Sequence, residues 1–532
     1  MVNLFYSIWV WALLILLLIL LILYLIQAYY RRWFPFNPVR FPRKEYYVEN
    51  QVVVTGAEED IDAAMADVQN VSLRLEQRIR FRDLGPALLN CPDLPHGPGD
   101  QGLVVDLYHI SGLFPNVERA IREINAALER AGKSGRVIAE PNRLTGTAWE
   151  PEASPWELIT SAWEPEASPI DELFGGGGGL PPSAPAELFL EQWAFERIQR
   201  QAVQEKPSGE GVLVGVFDTS PYRFTEIPEG GSASRTLNWV HAGEQALTLD
   251  IHHPVRRARL KRNSRPVVDV RNHGLFAAGL VFALAERARI RLVRVLEDDS
   301  RGDLYTMIEA IFNYIRETQT VEPRPLGVVI NLSLGIRIPP AEAGFDLPSS
   351  VQALEYLMLA ARCLGIVTIA ASGNEAHVEA NLPAGWPWTL GVAASNLRNR
   401  HACFSNPGRI HAPGGDGARG RDGSGCTPQT ENCQGNCEFA VIGPILQPAG
   451  HSGFVYWTGT SFASPLVSGL AALVLQVGQG GLPPSEVERI LLCGAAPDDG
   501  DAQAANVINL PRTLGACLRA SEDRPYEQKQ AI

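Results

Sequence analysis

The sequence predicts an α/β fold: a mostly parallel sheet with helices on both faces, preceded by a membrane-spanning helix and a small split-βαβ unit. Three observations predict it. From about Glu187 to Ala520, nearly continuous apolar runs (GVLVGVF, RLVRVL, LGVVINLSL, GIVTIAAS) alternate with helical patterns, as strands do when crossover helices bury both their faces. Residues 50–142 read as β-α-β-β-α-β. Leu4–Ile26 carries no charged side chain.

The elements follow in chain order. Residues 4–26 rise about 1.5 Å each as a helix, enough to cross a hydrocarbon core of about 30 Å, and are expected to span a membrane. A cleaved signal peptide would need a basic start, a shorter apolar core and a small-residue cleavage site, none of which is present. Residues 27–49 form a basic juxtamembrane segment with Arg31, Arg32, Arg40, Arg43 and Lys44. No Lys or Arg precedes the span, so the positive-inside rule puts the C-terminal part in the cytoplasm, a single-pass arrangement.

In residues 50–142, strands are expected at Gln51–Val54, Leu73–Phe81, Leu103–Ile110 and Arg136–Ala139. The helices carry Ile61, Ala64, Met65 and Val68, then Val117, Ile121, Ile124 and Leu128, at helical spacing. That order is ferredoxin-like, a fold that hosts many functions. Residues 143–186 read as a Pro/Gly/acidic linker. AWEPEASP occurs there twice, at Ala148–Pro155 and Ala162–Pro169, before the run Gly175–Gly179. No Gly-Lys-Ser/Thr follows the glycines, so they are not a phosphate loop. Residues 187–520 form the main domain, with an insertion at 415–457, and 521–532 a polar tail.

A net charge of −13 argues against nucleic-acid binding, which needs a basic face. The eight cysteines are dispersed, too sparse for a disulfide scaffold, and several lie in apolar runs where buried free thiols are common. Cys426, Cys433 and Cys437 have poor zinc spacing, which leaves a loop disulfide or free thiols.

Four motifs fall where such a sheet places a site, at strand ends and the turns after them. GVLVGVFDTS ends a buried strand in Asp218; NHGLFAAGL opens an apolar helix with His273; AASGNE follows a buried strand and offers Asn374; GTSFASPLVSG starts a long apolar helix with Ser461. Each is weak alone, since Asp and Asn form turns and Ser caps helices. An ordinary cap does not account for Pro465 inside the helix together with Gly459, Ala463, Ser464 and Gly469.

The set DTS, HGLFAAG, SGNE and GTSFASPLVSG, in the order Asp, His, Asn, Ser, resembles the subtilase (subtilisin-like serine peptidase, S8) family. QWAFERI at Gln192–Ile198, INLSLG at Ile330–Gly335, and the turns at Leu382–Ala384 and Ala412–Gly414 resemble it further. The resemblance implies a serine endopeptidase. In it Ser461 is the nucleophile, His273 the general base and acid, and Asp218 its support. Asn374 and the Ser461 N–H form the oxyanion hole. Leu332, Ser333, Leu334 and Gly335, with Ala371, Ser372 and Gly373, would pair with an extended protein or peptide substrate.

The resemblance also makes residues 50–142 a propeptide, ended by IAEPN at Ile138–Asn142, that blocks the site as an intramolecular inhibitor until the linker is cut. No cofactor is required by this chemistry. Structural calcium occurs in the family, but no acidic loop here matches a dedicated site. Ser220 stands where glycine is usual, and Leu275 and Phe276 where Thr-His is usual. Two alternatives are a catalytically silent peptide-binding pseudoprotease and an exported maturation protease with an uncleaved anchor. Retention of Asp218, His273, Asn374 and Ser461 counts against the first.

Overall fold

The computed structural model describes residues 47–91, 94, 102–112, 115–146, 183–203, 207–239, 245–258, 260, 270–298, 300–336, 351–419, 426–428, 439–446, 452–495 and 505–522. The expected span at 4–26, most of the juxtamembrane segment, the duplicated AWEPEASP, Cys433 and Cys437 lie outside them.

The first unit runs β1 (Tyr47–Ala57), α1 (Glu58–Ala66), β2 (Ser72–Arg80), β3 (Leu103–Ser111), α2 (Val117–Arg130) and β4 (Ile138–Gly146). Its antiparallel sheet has the order β4-β1-β3-β2. The Asn116 side chain accepts the Arg119 N–H at 2.8 Å and caps α2. Buried Val117, Ile121, Ile124 and Leu128 then line one stripe of that helix.

The second unit contributes α3 (Trp193–Arg197), β5 (Val212–Asp218), β6 (Gly231–Trp239), β7 (Gln245–His253), α4 (His273–Leu284), β8 (Arg289–Arg294), β9 (Arg301–Asp303), α5 (Leu304–Thr318), β10 (Gly327–Leu332) and β11 (Gly335–Ile336). There follow α6 (Gln352–Cys363), β12 (Ile366–Ala371), β13 (Leu390–Ser395), β14 (Ile410–Pro413), β15 (Gly417–Arg419), β16 (Cys426–Pro428), β17 (Val441–Leu446), β18 (Ser452–Trp457), α7 (Thr460–Val477) and α8 (Pro484–Gly494). Eight strands form one sheet, β14-β13-β12-β10-β5-β8-β7-β6, parallel except for the β6–β7 pair.

Strand alternation explains why the apolar runs are continuous. Val212, Val214 and Val216 of β5 enter one core layer with α4 and α7. Leu213 and Phe217 enter the opposite layer with α5 and α6. That second layer also holds Val53, Ile79, Val105 and Leu107, so the first unit shares a core with α5 and α6. Among the described residues α7 alone is long and apolar enough to cross a membrane, and 89% of its apolar window is buried inside the protein.

Two sequence expectations are corrected. Residues 143–146 are not linker: they continue β4, because Leu144–Gly146 pair antiparallel with β9, and Thr145 and Gly146 with β11. Those partners lie far away in sequence, so no local pattern announces them. Five of the cysteines are not free thiols: Cys91 bonds Cys363, Cys493 bonds Cys517, and Cys403 is also disulfide-bonded.

Candidate active site

Three strand ends and two helix starts meet at the carboxyl edge of the sheet. Asp218 is the last residue of β5 and fully buried. His273 opens α4 and holds its Nδ1 at 2.8 Å and 2.9 Å from the two Asp218 carboxylate oxygens. The approach depends on Gly274, where a Cβ would lie 2.3 Å from the Thr219 carbonyl oxygen and 2.8 Å from the Asp218 Cβ. Thr219 supports the junction: its Oγ1 donates to the Val270 and Arg271 carbonyls and accepts the Gly274 N–H at 3.1 Å.

Ser461 is the second residue of α7, where backbone N–H groups lack intrahelical partners and the helix dipole favours negative charge. Pro465 has no N–H to give the Ser461 carbonyl, as the helix pattern would require. Ser333 Oγ donates to that carbonyl instead, at 2.8 Å, and lies 3.1 Å from Ser464 Oγ. Asn331 Nδ2 donates to Ser333 Oγ, and Ser468 Oγ to Asn331 Oδ1, each at 2.9 Å. This buried polar chain fixes the start of α7 to the end of β10.

Asn374 follows β12. Its Oδ1 accepts from Thr460 N at 2.9 Å and Thr460 Oγ1 at 3.0 Å, which orients the amide. Asn374 Nδ2 and His273 Nε2 are both buried without a hydrogen-bond partner. A buried donor left open is costly, and an oxygen developing negative charge would satisfy it. Ser461 Oγ donates to the Ser333 carbonyl at 3.2 Å. Ser461 Oγ and His273 Nε2 therefore share no hydrogen bond in this structure.

The substrate-side residues divide. Gly335 pairs with Gly146 and Ile336 with Thr145, so this edge does bind an extended strand. Leu332 and Leu334 are core residues. The Ser333 hydroxyl serves α7, and Ser372 Oγ donates to the Asn406 carbonyl at 2.8 Å. Neither hydroxyl is free for a ligand. Gly373 holds φ +114° and a Cβ there would lie 2.2 Å from Asn406 Nδ2, so the position requires glycine. Among the described residues, Ala371–Gly373 pair with no part of β4.

Sequence reasoning missed β9, the second wall around Leu144–Gly146, and Thr460, which aims Asn374. The GTSFASP helix start carries Thr460 in plain view, but only the fold brings it to Asn374. It also missed the aromatic wall, in which the His273 ring lies 5.4 Å from Trp457 and 5.0 Å from Phe462. Phe276, one of the departures, packs on Phe462 at 4.3 Å. Ser220, another, meets buried His253 Nε2 at 3.0 Å, while His253 Nδ1 reaches the Ile227 carbonyl at 2.8 Å. Burial lowers the His253 pKa to about 4, so this imidazole is neutral and accepts the Ser220 hydroxyl proton. No group of three or more His, Cys, Asp or Glu among the described residues is placed to hold a metal.

A carboxylate-backed imidazole, a serine at a helix N-terminus and an open amide donor thus gather at the carboxyl edge of a parallel α/β sheet. The subtilase (peptidase S8) family matches residues 245–515, just over half of the chain, a span that includes His273, Asn374 and Ser461 and begins after Asp218. The chain belongs to that family. It is 29% identical to subtilisin-like protease 4 of Trichophyton equinum over 255 residues, 46% of this chain and 54% of that protein. It is likewise 29% identical to a subtilisin-like protease of Coccidioides posadasii over 306 residues, 55% of this chain and 60% of that one. The chain thus spans little more than half the length of these relatives. Among solved structures it is similar to fervidolysin of Fervidobacterium pennivorans, described as a keratinolytic enzyme related to subtilisin. That similarity has a TM-score of 0.48 and 18% identity, covering 89% of this chain and 62% of that one.

Proposed function

We propose that this chain is a subtilisin-like serine endopeptidase, held at a membrane by residues 4–26 and made as a self-inhibited zymogen. The observation that carries the catalytic part is the meeting of Asp218, His273, Ser461 and the open Asn374 Nδ2 at one buried point. Ser461 Oγ attacks the scissile carbonyl while His273 Nε2 takes its proton, and Asp218 holds Nδ1–H and offsets the imidazolium charge. The oxyanion accepts from Asn374 Nδ2 and the Ser461 N–H. His273 then protonates the leaving amine, and water, deprotonated by the same imidazole, releases the acyl group. The chemistry uses only side-chain and backbone groups, and protein or peptide is the substrate class.

The zymogen part is supported by β4. Its last three residues lie between β9 and β11 as a substrate strand would. Buried Glu140 accepts the Gln352 and Ala353 N–H groups at the start of α6, each at 3.3 Å. Asn142 Oδ1 accepts the Tyr305 N–H at the start of α5, at 3.0 Å. Two successive polar side chains of the inhibitor strand thus cap two helices of the peptidase unit.

The side of the membrane has two readings. The basic flank after residue 26 favours the cytoplasm. The disulfides Cys91–Cys363 and Cys493–Cys517 favour an oxidising compartment, hence an exported peptidase with a retained anchor. Thiol labelling of intact cells, before and after reduction, separates them. A fluorophosphonate probe tests the catalytic reading, applied to the full chain and to chain cut within the linker and reduced. Labelling that survives Ser461→Ala in the opened form sinks it.

A further inference from the structure

The disulfide Cys91–Cys363 joins the first unit to the peptidase unit. Cys91 follows the short helical turn Pro86–Asn90, and Cys363 ends α6, with Cα atoms 5.7 Å apart. In sequence they are separated by 272 residues, with the linker that follows β4 between them. We infer that cutting the linker does not free the inhibitory unit: the product is two chains joined by Cys91–Cys363, and opening of the cleft requires reduction of that bond. The inference rests on the zymogen reading for the word inhibitory, but not for the covalent joint.

The reasoning is one of effective concentration. A partner tethered close to its site experiences an effective concentration of about 1 mM. With a Kd of about 1 μM it stays bound more than 99% of the time, where an untethered unit would be lost on dilution. The noncovalent surface is also well made. One apolar layer contains Val53, Ile79 and Leu107 of the first unit with Ile308, Leu354 and Met358 of α5 and α6. The bond sits at the rim of that layer: Cys91 is buried, while Cys363 is partly buried against it.

Reduction by a dithiol balances as thiol–disulfide exchange. A thiolate of the reductant attacks one sulfur, and the other cysteine leaves as a thiolate and takes a proton. The second thiol of the reductant then closes on the mixed disulfide, releasing the other cysteine. Two electrons and two protons pass to Cys91 and Cys363, and the dithiol becomes a cyclic disulfide.

The test uses the full chain with a site-specific protease sequence in place of Gly175–Gly179. In a Ser461→Ala background the cut protein is expected to run as one species on a non-reducing denaturing gel and as two after a dithiol. Cys91→Ser and, separately, Cys363→Ser are expected to run as two under both conditions. Two species from the unsubstituted cysteines without reductant overturn the inference, and that arm does not depend on peptidase activity. With Ser461 present, the cut protein is expected to gain at least about tenfold in fluorophosphonate labelling on dithiol treatment. The cut Cys363→Ser form is expected to label after dilution alone, unaffected by dithiol. Equal labelling of the cut protein with and without dithiol overturns the gating. No labelling in any opened form instead overturns the peptidase reading, with the covalent joint still judged by the gel.

Discussion

Replacing Asn374 with alanine tests the proposed oxyanion hole. The side chain has two separable jobs in the structure. Its Oδ1 accepts from Thr460 N and Oγ1 at 2.9 and 3.0 Å, and its Nδ2 is aimed at the site with no partner. Loss of the equivalent single donor in subtilisin lowers kcat by about 10²–10³, or about 2.7–4 kcal/mol, and we carry that magnitude to Asn374→Ala. The donor acts on charge that exists only in the transition state, so KM is expected to stay within about threefold. The alanine also strands the buried Thr460 N–H, at a cost to stability of about 1–3 kcal/mol. Asn374→Asp separates the two effects. It keeps an acceptor for Thr460 and removes the donor, so kcat is expected to fall at least as far while the thermal midpoint falls less. The assay is kcat and KM on a chromogenic peptide for the opened enzyme, with melting curves beside it. A kcat for Asn374→Ala within about fivefold of the parent would refute the oxyanion role, whatever happens to the midpoint.

Gly274→Ala is expected to lower kcat/KM by about 10²-fold, because its Cβ would meet the Thr219 carbonyl at 2.3 Å and must push His273 off Asp218; an unchanged value defeats this account of the junction. Ser333→Ala is expected to destabilise the fold by about 1–3 kcal/mol by leaving the Ser461 carbonyl unpaired. In a Pro465→Ala background, which restores an N–H to that carbonyl, the loss should shrink, and a strictly additive double mutant in chemical denaturation argues against the compensation. Burial pushes the Glu140 carboxyl from 4.5 to about 7 against the opposing Ala353 N–H and Arg143. A pKa raised in the docked state means that its contribution to docking is fully present below pH 4.5 and is lost as pH rises through about 7. Binding of the cut and reduced first unit should therefore weaken from pH 4.5 to 8 in the parent and vary less in Glu140→Gln; equal slopes count against it.

The parallel sheet was legible, and the four candidate positions stand out in the sequence, because each is written locally. A strand buried on both faces must be apolar throughout, which is why GVLVGVF and GIVTIAAS can be read without a partner in view. Asp218, His273, Asn374 and Ser461 sit at ends of such elements, where turn and cap residues stand out against apolar runs. What was not legible depends on contacts made across the chain. Leu144–Gly146 are too short a run to announce a strand, and their strand state comes from β9 and β11, more than 150 residues downstream. Ser333 reads equally well as a pocket residue, and only Pro465 and the Ser461 carbonyl assign its hydroxyl to the helix. Cysteine pairing is nonlocal by nature: dispersed spacing said nothing of Cys91 meeting Cys363.

The tether alters what the noncovalent contacts around β4 must achieve. A free inhibitory unit has to combine enough apolar burial and helix capping to resist dilution by itself. Joined at Cys91–Cys363, the same unit needs only local affinity, because the entropy of bringing it to the site is already spent in the fold. That relaxes the demand on Glu140, whose buried carboxyl opposes docking as it ionises. A residue costly to an untethered inhibitor is tolerable in a tethered one, and its effect should be largest when the bond is gone. The pH dependence of docking should accordingly be steep in Cys363→Ser after linker cleavage and shallow with the disulfide intact. Equal pH dependence in the two would mean that the bond contributes nothing to retention, and the covalent and noncovalent parts of the interface would have to be treated as independent.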